Sequence, residues 1–207
     1  MKRTDIINHI IKKRNYTSYL EIGVWGQNEI PPYTEVMCPT KVGVDPNPNF
    51  SGIDSVLPWT SDQYFEFLYR YTNGVEFDLI FIDGLHLEEQ VDKDIENSLN
   101  MLSADGLIIL HDCSPSEESH ATPDWDGFGP WNGTVYKSIV KLRCRNSDLF
   151  FETVDTDYGC GILDPYKTQD VFSDVDEDVI LNDFSLFDKH RKDILNLISV
   201  DDFLKKY

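Results

Sequence analysis

Apolar residues recur along the chain in two periods, one typical of helices and one typical of buried strands. Isoleucines at helical spacing predict a helix over residues 4–14, with Thr4 as its cap. Short apolar runs that stop at glycine, proline or acidic residues predict strands. Further helices are predicted over 61–71, 88–102, 132–146 and in the tail, with Ser61 as a cap of the first and residues 104–106 as the exit turn of the second. Strands are predicted to end near Glu21 and to span 41–45, 54–59, 77–83, 107–112, 149–157 and 158–164.

Strands that alternate with helices and short connections predict an α/β fold. We expect a Rossmann-like, mostly parallel sheet with helices on both faces, closed at one edge by an antiparallel hairpin. One domain is predicted over residues 1–165, with an N-terminal helix within 1–16. Residues 166–207 are predicted to form an acidic helical extension packed on or next to that domain.

Composition narrows the class of protein. Hydrophobic residues make up 41% of the 207 residues, enough for a sizeable core, and the net charge is −19. That charge argues against a nucleic-acid partner and against docking on anionic lipid. The sequence has no apolar run long enough for a membrane span and no signal-peptide pattern, and its four cysteines lack CxxC spacing, so we expect a cytoplasmic protein with reduced thiols.

Ligands of such sheets bind beyond the carboxyl ends of the strands. EIGVWG (21–26) combines a strand end with glycines that allow a sharp turn. Asp45 ends the next strand, where an acidic residue can accept hydrogen bonds from the ribose hydroxyls of a nucleoside cofactor. We favour ribose binding, and a turn before Pro46 is the alternative role for Asp45.

A second polar cluster follows the two later strands. Asp83 and His86 come after one strand, and His111 and Asp112 end the other. Two carboxylates at one edge repel unless a proton or cation lies between them, and Mg²⁺ prefers such oxygen ligands. His86 is a candidate base near neutral pH. Capping the next helix is the alternative for Asp83, and a place in the core is the alternative for His111.

The segment 114–131 lacks periodicity and is rich in Pro, Gly, Ser and Trp, which is typical of a functional loop. His120 can reach the site if the loop closes. Three aromatic residues of the loop are candidates for a wall over a substrate: Trp125, Phe128 and Trp131. Asn132 is interpreted as a helix cap, and DTDYGCG (155–161) as a hairpin turn.

The runs LEIGVW, GVDPNP and FDLIFIDGLHLEEQVDKDIENSLNMLSADGLIILHDCSP resemble class I S-adenosylmethionine (SAM)-dependent methyltransferases, over residues 17–163. The resemblance implies that Glu21 and Gly23 line the methionine moiety and that Asp45 binds the ribose. It places Ser61 and Asp62 near the adenine. The full set of cofactor-binding residues predicted in this way is Glu21, Gly23, Val24, Trp25, Asp45, Pro46, Ser61, Asp62, Asp83 and Gly84. Trp25 and the prolines at 31–32 depart from the usual glycine turn and regular first helix.

The reactive cluster resembles the metal-dependent O-methyltransferases of the catechol type. Asp83 and Asp112 match the two metal-binding aspartates, whereas Cys113 stands in place of an asparagine ligand and His86 in place of a lysine base. His111, His86 or water can complete the ligand set for Mg²⁺ or Mn²⁺. The predicted catalytic residues are His86, Asp83 and Asp112, and the predicted metal ligands are Asp83, Asp112 and His111.

These observations predict a SAM-dependent O-methyltransferase that acts, with a divalent cation, on a small hydroxylated acceptor such as a sugar, a glycan precursor or a secondary metabolite. A methyltransferase fold without activity that serves as a binding module, and a metal-dependent hydroxylase, stay open as alternatives. A homodimer through the tail also stays open.

Overall fold

The computed structural model describes residues 1–26, 30–50 and 52–207. Within these ranges one sheet has the order β3-β2-β1-β4-β5-β7-β6-β8, and helices cover both faces. The elements in chain order are α1 Arg3–Arg14, β1 Ser18–Ile22, β2 Thr40–Val44, β3 Val56–Leu57, α2 Ser61–Tyr71, β4 Phe77–Ile82, α3 Glu88–Leu99, β5 Leu102–Leu110, α4 Val135–Arg145, β6 Phe150–Val154, β7 Cys160–Asp164, α5 Glu177–Asn182, α6 Phe184–Ile194, β8 Leu197–Ile198 and α7 Val200–Lys206.

The predicted fold class is confirmed. Strands β3, β2, β1, β4 and β5 are parallel, whereas β7 is antiparallel to both β5 and β6. The central strands are buried on both faces, which explains their nearly continuous apolar sequence. Their parallel direction brings the carboxyl ends of β1, β2, β4 and β5 to one edge. Within the described ranges, no helix is both long enough and apolar enough to span a bilayer.

Two predicted boundaries were wrong at the fifth strand. The helix predicted over 88–102 ends at Leu99, and the exit turn predicted at 104–106 lies inside β5. Asp105 has a φ of 65°, and the pairing of β4 with β5 shifts register between Phe77 and Leu79. The turn-like Ala-Asp-Gly sequence therefore forms an irregularity within a strand, because its neighbours continue the ladder.

Three predicted helix caps were also wrong, each by one or two residues. Lys2 rather than Thr4 precedes α1, and Thr134 rather than Asn132 precedes α4. Thr60 rather than Ser61 caps α2: its hydroxyl accepts a hydrogen bond from the Gln63 amide (3.2 Å), and the Gln63 side chain accepts one from the Thr60 amide (3.0 Å). This reciprocal pair is a capping box, which decides the cap in favour of Thr60.

Among its described residues, the connection after β1 contains one 3-10 turn, Pro32–Glu35, and no regular helix. Residues 27–29 of this connection lie outside the described residues. Tyr33 in the 3-10 turn is fully buried and stacks near Tyr19, so this short segment still covers its face of the sheet.

The tail returns to the domain. Strand β8 pairs in parallel with β6, and Phe187, Ile194 and Leu195 join the core on one face of the sheet. Phe203 of α7 joins the core on the other face. The tail therefore contributes to the same apolar core as the sheet.

Candidate active site

A cavity of about 670 Å³ opens at the carboxyl ends of the parallel strands. Its size is typical of small-molecule sites. Eight of the ten predicted cofactor residues line it: Gly23, Trp25, Asp45, Pro46, Ser61, Asp62, Asp83 and Gly84. The same cavity is lined by the reactive cluster: Asp83, His86, His111 and Asp112. One continuous space thus joins the two predicted halves of the site.

Gly23 brings the ends of β1 and β4 unusually close. Its φ is +85°, and a Cβ atom there would lie 2.1 Å from the carbonyl oxygen of Asp83. The Gly23 amide donates to the Val44 carbonyl (2.9 Å), and the Asp83 amide donates to the Ile22 carbonyl (2.8 Å). Only glycine tolerates this combination of conformation and contact, so Gly23 fixes the floor of the cavity.

Asp45 follows β2 and is half-buried at the cavity wall. Its carboxylate accepts a hydrogen bond from the Asn47 amide at 2.7 Å, so it does form a turn before the prolines. Burial raises the pKa of this carboxyl. The turn leaves Asp45 facing the cavity, and the two roles considered from the sequence are compatible.

The start of α2 forms the far wall. Ser61 and Asp62 line the cavity, and the Gln90 side chain of α3 donates to the Ser61 hydroxyl (3.2 Å) and the Asp62 carboxylate (3.0 Å). Gln90 itself lines the cavity. The sequence did not indicate it as a site residue, because it lies within the helical pattern of α3.

Glu21 and Val24 do not line the cavity. Val24 is 1% exposed and packs in the core. Glu21 is 6% exposed, and the Tyr19 hydroxyl donates a hydrogen bond to its carboxyl group at 2.5 Å. Burial raises the pKa of Glu21 to about 8. Burial therefore favours the neutral form of Glu21 beneath the site, and direct contact between its side chain and a ligand has no support in this geometry.

Asp83, His86, His111 and Asp112 converge at the other end of the cavity. His111 Nδ1 lies 3.1 Å from Asp83 Oδ1 and 3.2 Å from Asp112 Oδ2. His86 Nε2 lies 3.4 Å from Asp83 Oδ1, and His86 Nδ1 lies 3.3 Å from Asp112 Oδ2. The two imidazoles thus bridge the two carboxylates.

The electrostatics of this cluster favour charged forms. Burial opposes ionisation of Asp83, but His111, His86 and Arg3 hold the pKa of Asp83 well below its usual range. Burial likewise opposes the protonated form of His111, yet Asp83 and Asp112 raise the pKa of that imidazole. The pKa of His86 is raised for the same reason: Asp83 and Asp112 outweigh its burial.

The backbone at Asp112 explains why adjacent residues meet at one point. Strand β5 ends at Leu110, and Asp112 has a φ of 59°, in the left-handed region that few residues other than glycine adopt. Alternation of side chains along a regular strand would send His111 and Asp112 to opposite faces. The left-handed turn instead directs both toward Asp83.

Two residues of this cluster had not been predicted. The Arg3 guanidinium lies 3.3 Å from His111 Nε2 and 3.6 Å from an oxygen of Asp83. Asp157, in the hairpin turn between β6 and β7, accepts a hydrogen bond from the Arg3 amide (2.8 Å) and lies 3.7 Å from His111 Nε2. His111 lowers the pKa of Asp157 to about 2. Both residues are remote in sequence from β4 and β5, so no local spacing indicates them.

Cys113 does not take the place of the third ligand. It is fully buried, and its thiol contacts the Leu110 carbonyl at 3.5 Å, away from the cluster. Burial raises the pKa of this thiol. Asn132 instead supplies an amide beside Asp112: its Nδ2 donates to Asp112 Oδ1 at 2.6 Å. The interpretation of Asn132 as a helix cap was therefore wrong.

The long loop contributes an aromatic wall. Trp125 and Trp131 line the cavity, and the Trp131 ring stacks on His86 with centroids 5.1 Å apart. Phe128 is 83% exposed and does not line the cavity. His120 lies close to the Ser116 hydroxyl (3.2 Å), outside the cavity lining.

The donor set fits a divalent cation. Asp83, His86 and Asp112 each offer one ligand atom, and these atoms lie within 4.8 Å of one another. Two carboxylates and an imidazole suit Mg²⁺ when water completes the shell, and suit Mn²⁺ more closely because of the nitrogen ligand.

Several solved structures of methyltransferases share this fold. They include the O-methyltransferase from Bacillus cereus in complex with SAH (TM-score 0.55, 14% identity, 78% of this chain and 79% of that chain). The SAH-bound methyltransferase PaMTH1 from Podospora anserina gives a TM-score of 0.55 at 16% identity, over 81% and 78% of the two chains. The O-methyltransferase TomG from Streptomyces achromogenes, solved with SAM, gives 0.57 at 14% identity, over 78% of each chain.

The sequence supports the same class. A family model described as "Methyltransferase domain" matches residues 40–113, which run from β2 to just beyond the end of β5. No curated protein sequence matches the chain. The predicted fold is therefore confirmed, and the family model indicates a methyltransferase domain over the matched residues.

Proposed function

We propose that the protein transfers the methyl group of SAM to a hydroxyl oxygen of a small acceptor, with help from a divalent cation. One observation carries the proposal: a single cavity joins the strand-end residues expected to hold the cofactor to the cluster of Asp83, His86 and Asp112. Cofactor and acceptor can therefore meet without a change in the sheet.

At the cofactor end, Asp45 accepts hydrogen bonds from the ribose hydroxyls and Gly23 allows the methionine moiety close to the backbone. Ser61 and Asp62 lie where the adenine is expected. The bound SAM supplies an electrophilic methyl group on a sulfonium. The acidic walls of the cavity favour that positive charge.

At the reactive end, Asp83 and Asp112 would hold the cation, which would lower the pKa of an acceptor hydroxyl. The acceptor oxygen forms a bond to the methyl carbon, and the electron pair of the breaking carbon–sulfur bond stays on sulfur. The proton of the hydroxyl must leave toward a base. Positioning of the two reactants and electrostatics supply most of the rate in this type of transfer.

His86 has two competing roles, ligand or base. Its ring touches both carboxylates, and its pKa is raised only as long as they face it. If Asp83 and Asp112 held a cation, His86 would lose the two charges that favour its protonated form, and its neutral form would be available to accept a proton. His86→Gln separates the roles: a lower Mn²⁺ affinity identifies a ligand, whereas an unchanged affinity with a lower kcat identifies a base.

The acceptor is a small molecule with a flat face and a hydroxyl group. Trp125 and Trp131 provide apolar walls for such a face, and the acids nearby disfavour an anionic partner. A sugar, a glycan precursor or a secondary metabolite fits this description. We place the protein in the cytoplasm, without nucleic-acid or membrane partners, on the strength of its charge and its four free cysteines.

A binding module without methyl transfer is the second candidate. Arg3 and His111 already compensate Asp83, so the cluster is stable as a set of ion pairs without a cation. This candidate predicts tight cofactor binding and no metal requirement.

Calorimetry with S-adenosylhomocysteine (SAH), with and without Mn²⁺ or Mg²⁺, tests the proposal, followed by methyl transfer to a panel of hydroxylated acceptors. We expect SAH to bind and a divalent ion to bind independently at the reactive end. Folded protein that binds no SAH would contradict both candidates. Binding of SAH without ion binding and without transfer would favour the binding module.

A further inference from the structure

The segment Trp131–Thr134 lies between the long loop and helix α4, where the sequence suggests a substrate wall at Trp131 and a helix start at Asn132. In the structure it contacts both residues on which the proposed reaction depends, His86 and Asp112. The contacts comprise ring stacking, backbone and side-chain hydrogen bonds and a close backbone approach.

Three of them hold His86. The Trp131 ring stacks on the imidazole with an interplanar angle of 24°, and the Trp131 carbonyl lies 3.3 Å from His86 Nδ1. The Thr134 amide donates to the His86 carbonyl at 2.8 Å. Gly133 has a φ of +58°, and a Cβ atom there would lie 2.0 Å from the His86 carbonyl oxygen. Backbone and ring of His86 are thus fixed from one side.

Asn132 holds Asp112. Its Nδ2 donates to Asp112 Oδ1 at 2.6 Å, which leaves Oδ2 directed to His86 and His111. Without this hydrogen bond Oδ1 would lose its side-chain donor, and the two imidazoles alone would orient the carboxylate. Asn132 therefore selects the oxygen that faces the cluster.

The burial of Asn132 makes a purely structural role a poor explanation. The residue is 1% exposed, and within the described part of the chain its Oδ1 has no hydrogen-bond partner. An unpaired buried acceptor costs free energy that an apolar residue of the same shape would not. The amide is useful only for what its donor does, and that donor serves Asp112.

The left-handed backbone conformation of Asp112 also supports a positioning role for its surroundings. A non-glycine residue at a φ of 59° is held by its surroundings, and such residues cluster at functional sites. The Cys113 amide donates to the Gly159 carbonyl (3.1 Å) and the Ser114 amide to the Tyr158 carbonyl (2.8 Å), so the hairpin fixes the backbone while Asn132 fixes the side chain.

We propose that Trp131–Thr134 is a positioning segment, in which Asn132 aims one oxygen of Asp112 into the site while Trp131 and Gly133 set the orientation of His86. The inference rests on the proposed function, because it gives the segment the task of orienting Asp112 as a cation ligand and His86 as a ligand or base. Partners of metal ligands typically matter at about 10–100-fold in affinity or activity when they are removed.

The test replaces Asn132 by Leu, which has a similar shape and keeps the packing without the donor. A matched control is Asn146→Ala at the opposite end of α4, where the asparagine side chain bonds only to the Leu142 carbonyl. The measurements are Mn²⁺ and SAH affinity by calorimetry and a crystal structure of the variant. If Asn132→Leu does not fold, Asn132→Ser removes the same contact with a smaller side chain.

For the Asn132 variant we expect Mn²⁺ affinity to fall about 10- to 100-fold with SAH affinity within about threefold of wild type. Its crystal structure should show Asp112 Oδ2 turned away from His86 and His111. The control should match wild type in all three measurements. Unchanged Mn²⁺ affinity, or Asp112 with its contacts intact, would overturn the inference.

Failure of the proposed function leaves a different pattern. If wild type binds no Mn²⁺ or no SAH, the cation or the cofactor assignment fails. The orientation of Asp112 in the variant crystal still decides the positioning role: rotation supports it, and an unmoved carboxylate overturns it.

Discussion

Glu21 and Asp83 are two acids at the ends of neighbouring strands, and their surroundings shift their pKa values in opposite directions. Glu21 has one hydrogen bond, from Tyr19, and burial raises its pKa to about 8. The Asp83 side chain is only 10% exposed, but His111, His86 and Arg3 surround it and keep its pKa low. Burial alone does not set the pKa of an acid, because neighbouring charges and hydrogen-bond donors can outweigh it.

The same difference separates the two ends of the cavity. The cofactor end combines the backbone of Gly23 with side chains, such as that of Asp45, that have few charged partners. The reactive end is a network of charges drawn from α1, β4, β5 and the β6–β7 hairpin. Free-energy effects of substitutions at the cofactor end should therefore be independent and additive, whereas those at the reactive end should be coupled, because each change there disturbs several residues.

The largest effect should come from Gly23→Ala, where the two ends meet. The new methyl group would overlap the Asp83 carbonyl and impose a strained φ of +85°. We expect a loss of about 3 kcal/mol or more in the free energy of unfolding, measured by urea denaturation. Gly127→Ala is the control, because its φ is +89° but no atom lies within 4 Å of the added Cβ. Equal losses in both variants would show that φ strain, and not the close approach, governs this position.

At the reactive end, Asp112→Asn should lower Mn²⁺ affinity by about 100-fold, because the substitution removes the charge of a metal ligand. Loss of a mere hydrogen-bond partner of a metal ligand typically lowers metal affinity by about 10–100-fold, so loss of the ligand's own charge should reach the upper end of that range. SAH affinity should stay close to wild type. Calorimetry measures both, and Asp126→Asn in the exposed part of the loop is the control. Unchanged Mn²⁺ affinity would mean that Asp112 serves only its ion pairs with His86 and His111.

At the cofactor end, Glu21→Gln should change how stability depends on pH. An acid with a raised pKa binds a proton more tightly when folded, so wild type loses stability as pH rises from about 4.5 to about 8. The slope from one such group is about 1.4 kcal/mol per pH unit. Urea denaturation of the cofactor-free protein at pH 5 to 8 should show a flatter profile for the variant, since glutamine does not titrate.

The exposed Glu76→Gln variant is the control for that measurement and should keep the wild-type profile. If Glu21→Gln and wild type lose stability in parallel across this range, Glu21 is already ionised in the folded protein, and the contrast with Asp83 disappears.

The smallest effect should follow Asp45→Asn, which preserves the turn with Asn47 but weakens hydrogen bonds to a ribose. We expect SAH affinity to fall about fivefold, or about 1 kcal/mol, because the amide keeps one acceptor oxygen but loses the charge, with Mn²⁺ affinity unchanged. Asp54→Asn, at an exposed position, is the control in the same calorimetric titration. A parallel loss of Mn²⁺ binding would show that the two ends are coupled.

The sequence predicted the elements and strand ends that depend on local pattern. Asp45, Asp83 and Asp112 each follow an apolar strand, and parallel direction alone brings such ends together. Arg3, Asn132 and Asp157 escaped prediction because their contacts join residues 20 to 154 positions apart. Thr60 escaped for another reason: Ser61 is equally good at a cap by type, and only the geometry of Gln63 separates them.

Both outer strands of the sheet, β3 and β8, are only two residues long. A long, flat outer strand offers unpaired amides and carbonyls to any other extended chain, and short ones remove that opportunity. The sheet is therefore poorly suited to grow by adding strands from a second molecule. A homodimer of this protein would have to form through its helices or loops, and the unfolded chain, rather than the native sheet edge, is where aggregation would begin.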